Sequence, residues 1–157
     1  EKMSLEKTGL VLQFHVAAMF LPSLITGHLI KKFGHSNIIY IGVLFFIVMI
    51  ILSLFEQTFA NYMVALIFLG FGWNFLFISG TSLVVLTYKE EEKFRAQGVN
   101  DLIVFTTMAL ASLLAGILLI LTSWETMNLI CIPFLVLIVY STFRADILSK
   151  NGTRLKS

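Results

Sequence analysis

Residues 38–55 read IIYIGVLFFIVMIILSLF and carry no charged side chain. An α-helix rises about 1.5 Å per residue, so roughly 20 apolar residues cross the ~30 Å hydrocarbon core of a bilayer. A membrane β-barrel would instead need apolar and polar residues in alternation, a pattern that no segment of the sequence sustains. The stretch therefore predicts a transmembrane helix, and we expect helices throughout.

The composition indicates lipid rather than water as the surroundings of most side chains. The chain has 157 residues, of which 58% are hydrophobic and 13% are charged, whereas soluble domains carry about 25% charged residues. Cys131 is the single cysteine, which excludes an intrachain disulfide and a cysteine cluster for a metal. We expect an integral membrane protein without a metal site or a cofactor.

Charged or polar residues divide the apolar sequence into about five runs, each long enough for one transmembrane helix. The predicted spans are residues 8–30, 38–55, 58–88, 97–121 and 127–143, followed by a polar tail at 144–157. The third run exceeds the length that a bilayer needs, which implies a tilted or projecting helix. The predicted fold class is an all-α integral membrane protein, a polytopic bundle of about five transmembrane helices.

Lysine and arginine collect on one side of the predicted membrane. The loops after the first and third spans, together with the tail, hold Lys31, Lys32, Lys89, Lys93, Arg95, Arg144, Lys150, Arg154 and Lys156. The opposite side holds Lys2 and Lys7. Because cytoplasmic loops carry the excess of basic residues, we expect a cytoplasmic tail, an external N-terminal end and a location in the cell (inner) membrane. An odd number of spans that begins outside without a signal peptide predicts a piece of a longer chain.

Polar residues within the spans are the candidates for function, since no Asp, Glu, Lys or Arg lies deep in a predicted span. Gln13 and His15 lie in the first span, ahead of Pro22, which can kink a helix. Both are candidates for a substrate cavity. Hydrogen bonding to neighbouring helices explains them equally well.

Trp73 and Asn74 lie near the middle of the third span. An unpaired amide is costly there, so Asn74 must bond to a solute, to water in a cavity or to another helix. We predict that both residues line a substrate cavity. Asp101 opens the fourth span and is a candidate for coupling to proton movement; the alternative is that its charge complements the positive N-terminus of the helix.

Enzyme signatures are absent from the sequence, which contains no H-E-x-x-H, no G-x-S-x-G and no phosphate-binding glycine loop. We therefore expect no catalytic residues, no nucleic-acid partner, and the lipid bilayer and a small-molecule solute as partners. Two other classes stay open. One is a complete small membrane scaffold or assembly protein, and the other is a membrane-embedded enzyme that uses His15 or His28.

Residues 27–35 read GHLIKKFGH and follow the first predicted span on the basic side. They resemble the cytoplasmic loop motif of the major facilitator superfamily, glycine-x-leucine-alanine-aspartate-arginine-phenylalanine-glycine-arginine. The matching residues are Gly27, Leu29, Lys32, Phe33 and Gly34, while Lys31 stands where the family has its acid. The segments LGFGWNFLF at 69–77 and AQGVND at 96–101 also look like those of bacterial transporters in this superfamily.

The resemblance covers nearly the whole chain and implies a specific place in a larger fold. Residues 1–157 would form a partial C-terminal half-domain, helices eight to twelve of a twelve-helix transporter fold. Such a protein is a secondary active transporter that moves a small solute by alternating access. The missing N-terminal half of the same transporter would then be a partner of this chain.

Overall fold

The computed structural model describes residues 4–55 and 58–154, with side chains as far as residue 149. Its elements are α1 (Leu5–Phe20), α2 (Ser23–Phe33), α3 (His35–Ser53), α4 (Phe59–Val85), a 3₁₀ turn (Glu90–Glu92), α5 (Lys93–Leu121), α6 (Trp124–Leu129) and α7 (Ile132–Arg154). No strand occurs in the described ranges. The predicted all-α fold class is confirmed.

Five helical segments of the described chain are long and apolar enough to cross a membrane. They are Leu5–Phe33, His35–Ser53, Phe59–Val85, Glu90–Leu121 and Trp124–Ser149. Most are longer than the apolar runs in the sequence because polar residues extend their ends. The polar segment after residue 143 continues α7 as helix to Arg154. The turn predicted at Glu56 and Gln57 lies outside the described residues, as do Lys2 and Lys156.

Pro22 breaks the first span into α1 and α2. Proline has no N–H, so the carbonyl of Ala18 loses the donor that a continuous helix would supply. The last bond of α1 runs from Leu21 N to Ala17 O (2.8 Å), and α2 starts with Thr26 N to Pro22 O (2.9 Å). The break at Pro22 is therefore one of hydrogen bonding, since the backbone at Leu21 and Pro22 stays in the α-helical region and Leu5–Phe33 is one span.

Gly34 alone joins α2 to α3. Its φ of 84° and ψ of 159° lie in a region that essentially only glycine adopts. The N–H of Gly34 still closes α2 by donating to Ile30 O at 2.8 Å. Glycine is required here by the backbone conformation, since a Cβ would meet no atom within 4 Å.

Helix α4 packs between α1 and α3 through its glycines. A Cβ built on Gly70 would lie 2.8 Å from the Cβ of Ala18 on α1, and a Cβ on Gly72 would lie 2.7 Å from the ring of Phe46 on α3. Small residues let membrane helices approach closely and gain van der Waals contact. These two glycines therefore serve helix packing.

Buried side chains form two clusters around α3 and α4. The larger contains Val43, Met49, Ile50, Ala65 and Leu135, and the smaller contains Ile30, Ile38 and Phe75. Helix α5, by contrast, has no buried residue along its whole length. The described bundle thus centres on α3 and α4, with α7 packed on one side and α5 largely uncovered.

Candidate functional site

Asn74 connects α4 to both sides of the broken span. Its side chain is 1% exposed. Its Nδ2 donates to the carbonyl of Met19 before the break (2.7 Å), and its Oδ1 accepts from the hydroxyl of Thr26 after the break (2.7 Å). Neighbouring side chains commonly satisfy backbone groups that a proline frees inside a membrane. The amide is therefore satisfied within the protein, which favours helix packing over solute contact; the cavity role of Asn74 stays a prediction.

Thr26 shares its hydroxyl between two acceptors. Its Oγ1 lies 2.7 Å from Asn74 Oδ1 and also 2.7 Å from the carbonyl of Pro22. A hydroxyl has one hydrogen to donate, so the two bonds alternate. Loss of Asn74 would still leave the Thr26 hydroxyl bonded to Pro22.

His15 and Gln13 lie at a different level of the bundle. The Nδ1 of His15 lies 2.7 Å from the carbonyl of Leu66 on α4, and because a carbonyl only accepts, Nδ1 carries the hydrogen. Leu66 precedes Asn74 by about two helical turns, or roughly 12 Å. Gln13 is exposed on α1. The structure therefore brings neither residue to Asn74, and their cavity role stays a prediction.

Trp73 belongs to an aromatic cluster that consists of Phe20, Trp73 and Phe77. The indole stacks on Phe77 with ring centroids 4.7 Å apart and an angle of 9°, and it meets Phe20 edge-on at 6.2 Å. Phe20 is 59% exposed and Phe77 is 37% exposed. The four-residue spacing of Trp73 and Phe77 on one helix is the sequence signal that would have indicated this pair.

A pocket of about 440 Å³ lies between α4 and α5, and we call it the α4–α5 pocket. It combines two aromatic rings with hydroxyl, amide and carboxylate groups. It is lined by Phe77, Ile78, Thr81, Ser82, Val84, Val85, Tyr88, Gln97, Asn100 and Asp101. Within it, Gln97 Nε2 donates to the hydroxyl of Tyr88 at 3.0 Å, and Asn100 Nδ2 donates to Asp101 Oδ1 at 3.4 Å. The pocket joins Asp101 to the aromatic cluster through Phe77 and leaves Asn74 outside.

The loop motif spans the last turns of α2 and the joint with α3. Leu29 packs on the smaller buried cluster, and the Nζ of Lys32 lies 5.1 Å from the ring centroid of Phe33. Gly27 and Lys32 are exposed. Basic side chains in the last turn of a helix complement its negative C-terminal end. Leu29, Lys32, Phe33 and Gly34 thus have local structural contacts or a backbone role, whereas a Cβ at Gly27 would meet no atom within 4 Å.

Asp146 is a residue that the sequence analysis passed over, because it lies in the predicted tail. Its carboxylate accepts from the Ser36 hydroxyl at 2.5 Å and from the Tyr40 hydroxyl at 3.5 Å. Ser36 and Tyr40 share one face of α3 at four-residue spacing. Asp146 therefore attaches the last turns of α7 to the start of α3.

The part of the chain that the structure describes brings few metal-binding side chains together. No group of three or more His, Cys, Asp or Glu side chains there could hold a metal ion. The candidate site is thus built from aromatic rings, amides, hydroxyls and one carboxylate.

Comparison with known proteins places these features in a family. The family model of the Major Facilitator Superfamily matches residues 2–153. The riboflavin transporter RfnT of Brucella anthropi is 41% identical over 136 residues, which are 87% of this chain and 34% of that protein. The MFS-type transporter YdeG of Bacillus subtilis is 32% identical over 124 residues, 78% of this chain and 29% of that protein.

A second protein of Bacillus subtilis, the MFS-type transporter YddS, is 29% identical over 127 residues, 80% of this chain and 29% of that protein. No solved structure matches the chain at a significant level. The chain therefore spans about a third of the length of the curated relatives that it matches. The family model matches nearly all residues, which agrees with the resemblance in the loop motif. The chain therefore belongs to the major facilitator superfamily.

Proposed function

We propose that this chain is part of a secondary active transporter that moves a small solute across the cell membrane by alternating access. The α4–α5 pocket is the observation that carries the proposal. It sets a carboxylate and two amides against an aromatic ring beside a helix that buries no residue. Polar residues within membrane spans usually face a cavity or another part of the protein rather than lipid. The remainder of the transporter would then cover the polar side chains of α5.

The depth of the pocket supports a role in transport. Phe77 lies about 12 Å along α4 from its end at Val85. Asp101 lies about 6 Å along α5 from residue 97, where the apolar run of that helix begins. The pocket therefore extends from the membrane interface near Asp101 toward the midplane of a ~30 Å hydrocarbon core, the depth at which transporters of alternating-access type bind their substrates. We propose that Trp73 and Asp101 act at this site, Asp101 as the coupling residue.

The proposed orientation follows the distribution of basic residues. The loops beside Lys31 and Arg95 would face the cytoplasm, with the N-terminal end of the chain outside and the C-terminal end inside. In that arrangement the α4–α5 pocket opens toward the cytoplasmic half of the membrane. Asp101 would then exchange protons with the cytoplasm.

Riboflavin is the solute that we propose for this transporter. The support is the 41% identity to a protein named as a riboflavin transporter. The test is uptake of radiolabelled riboflavin by cells that can neither make nor import it, after expression of the full-length protein that contains this chain. We expect saturable uptake and growth at low external riboflavin.

The control is the same cells with an empty vector. Growth and uptake equal to the empty vector, at confirmed surface expression, would refute riboflavin as the solute.

A further inference from the structure

We infer that the α4–α5 pocket binds a planar aromatic solute that also carries several hydrogen-bonding groups. The ring of the solute extends the stack of Trp73 and Phe77, and its polar groups meet Gln97, Asn100 and Asp101. The inference rests on the transport function proposed above and identifies the residues that recognise the solute.

The aromatic stack stops at the pocket. The indole of Trp73 covers one face of Phe77 at 4.7 Å and 9°, and Phe77 also lines the pocket. A ring has two faces, and the proposed solute lies on the face of Phe77 that Trp73 leaves uncovered. Near-parallel, offset stacking is a favoured arrangement of aromatic rings. A third flat ring can therefore continue the pair.

The two protein rings are held in place before a solute arrives. Phe20 abuts the indole edge-on at 6.2 Å. The next residue, Asn74, is bonded on both sides of the helix break. These contacts keep α4 in register with α1 at the level of Trp73. A prearranged surface of this kind lowers the ordering cost of binding.

The opposite wall of the pocket is polar. Gln97 and Asn100 offer amide donors and acceptors, and an ionised Asp101 accepts only. The amide donors already bond to the Tyr88 hydroxyl and to Asp101, so the amide oxygens and the carboxylate are the groups that a solute with hydroxyl or N–H donors would match. A pocket of about 440 Å³ also falls within the range of roughly 300–1,000 Å³ that small-molecule sites occupy.

The experiment measures binding to the purified full-length protein in lipid nanodiscs. Three probes separate the parts of the solute: riboflavin, lumichrome (the same three rings without the hydroxylated chain) and ribitol (the chain without the rings). Calorimetry serves all three, and quenching of flavin fluorescence serves the first two. We expect riboflavin to bind most tightly, lumichrome more weakly and ribitol not measurably.

Two variants assign the contacts. Phe77→Leu should raise the Kd of riboflavin and of lumichrome by roughly tenfold, since one ring contact is lost. Asp101→Asn should raise the Kd of riboflavin by a larger factor than that of lumichrome, because the hydroxylated chain adds donors that lumichrome lacks. The matched control is Phe71→Leu, a ring on the same helix that packs on Phe45 and does not line the pocket. Its Kd values should equal those of wild type.

The outcomes separate this inference from the transport function. Binding without uptake would overturn the transport of riboflavin and support the site. If Phe77→Leu leaves the KM of uptake at the wild-type value, that result would overturn the site and support the transport function. Failure of the wild type to bind either flavin probe would overturn the site, as would equal effects of Phe77→Leu and Phe71→Leu. If Phe77→Leu does not fold, Asp101→Asn tests the site. Equal changes in the Kd values of riboflavin and lumichrome would then overturn it.

Discussion

Replacing Asn74 by leucine separates a role in helix packing from a role in solute binding. Leucine has nearly the same size but cannot donate to Met19 or accept from Thr26, both at 2.7 Å in the structure. Hydrogen bonds between membrane helices average ~0.6 kcal/mol and reach about 1.7 kcal/mol. Thr26 can turn its hydroxyl to Pro22, so the greater loss is at Met19. We expect a decrease of about 1–2 kcal/mol in the free energy of unfolding.

The assay is unfolding of the full-length protein in bicelles, read together with uptake per folded molecule. Uptake by the folded fraction should stay near wild type, because the amide faces the break between α1 and α2. Thr26→Val is the graded control. It removes one of the two bonds and should cost about half as much, and the double variant should cost less than the sum of the two single variants. Wild-type stability combined with lost uptake would refute the packing role and show that Asn74 contacts the solute.

Three further predictions address the joint, the orientation and the coupling residue. Gly34→Ala should lower the free energy of unfolding by about 1–3 kcal/mol because alanine strains the backbone at φ 84°, whereas Gly27→Ala, inside α2, should not destabilise; equal stabilities would refute the argument. Cysteines placed at Lys31 and Arg95 should resist an impermeant thiol reagent applied to intact cells, and labelling of both from outside would reverse the topology. Asp101→Asn should flatten the pH dependence of uptake, and an unchanged profile would exclude proton coupling at this residue.

The all-α class and the number of long apolar helices could be predicted from sequence because they depend on local properties. An uncharged run such as residues 38–55 can satisfy its backbone in lipid only as a helix. The break at Pro22 is equally local, since the missing N–H belongs to the residue itself. The charge distribution and the loop motif also indicated the superfamily without knowledge of any contact.

The partners of the polar side chains could not be predicted in this way. Asn74 required a hydrogen bond, but the choice among solute, water and helix depends on how α4 packs on the broken first span. Asp146 lay in a stretch predicted to be a tail, and only the continuation of α7 brings it to Ser36.

The α4–α5 pocket shows the same limit of local reasoning. Phe77 and Asp101 lie on different helices, and each has an ordinary local explanation as an apolar surface residue or as a charge near a helix N-terminus. The length and apolarity of a run determine that it crosses the membrane, because each residue meets the lipid by itself. Which polar groups face one another depends on the packing of several helices, and that is decided only in the tertiary structure.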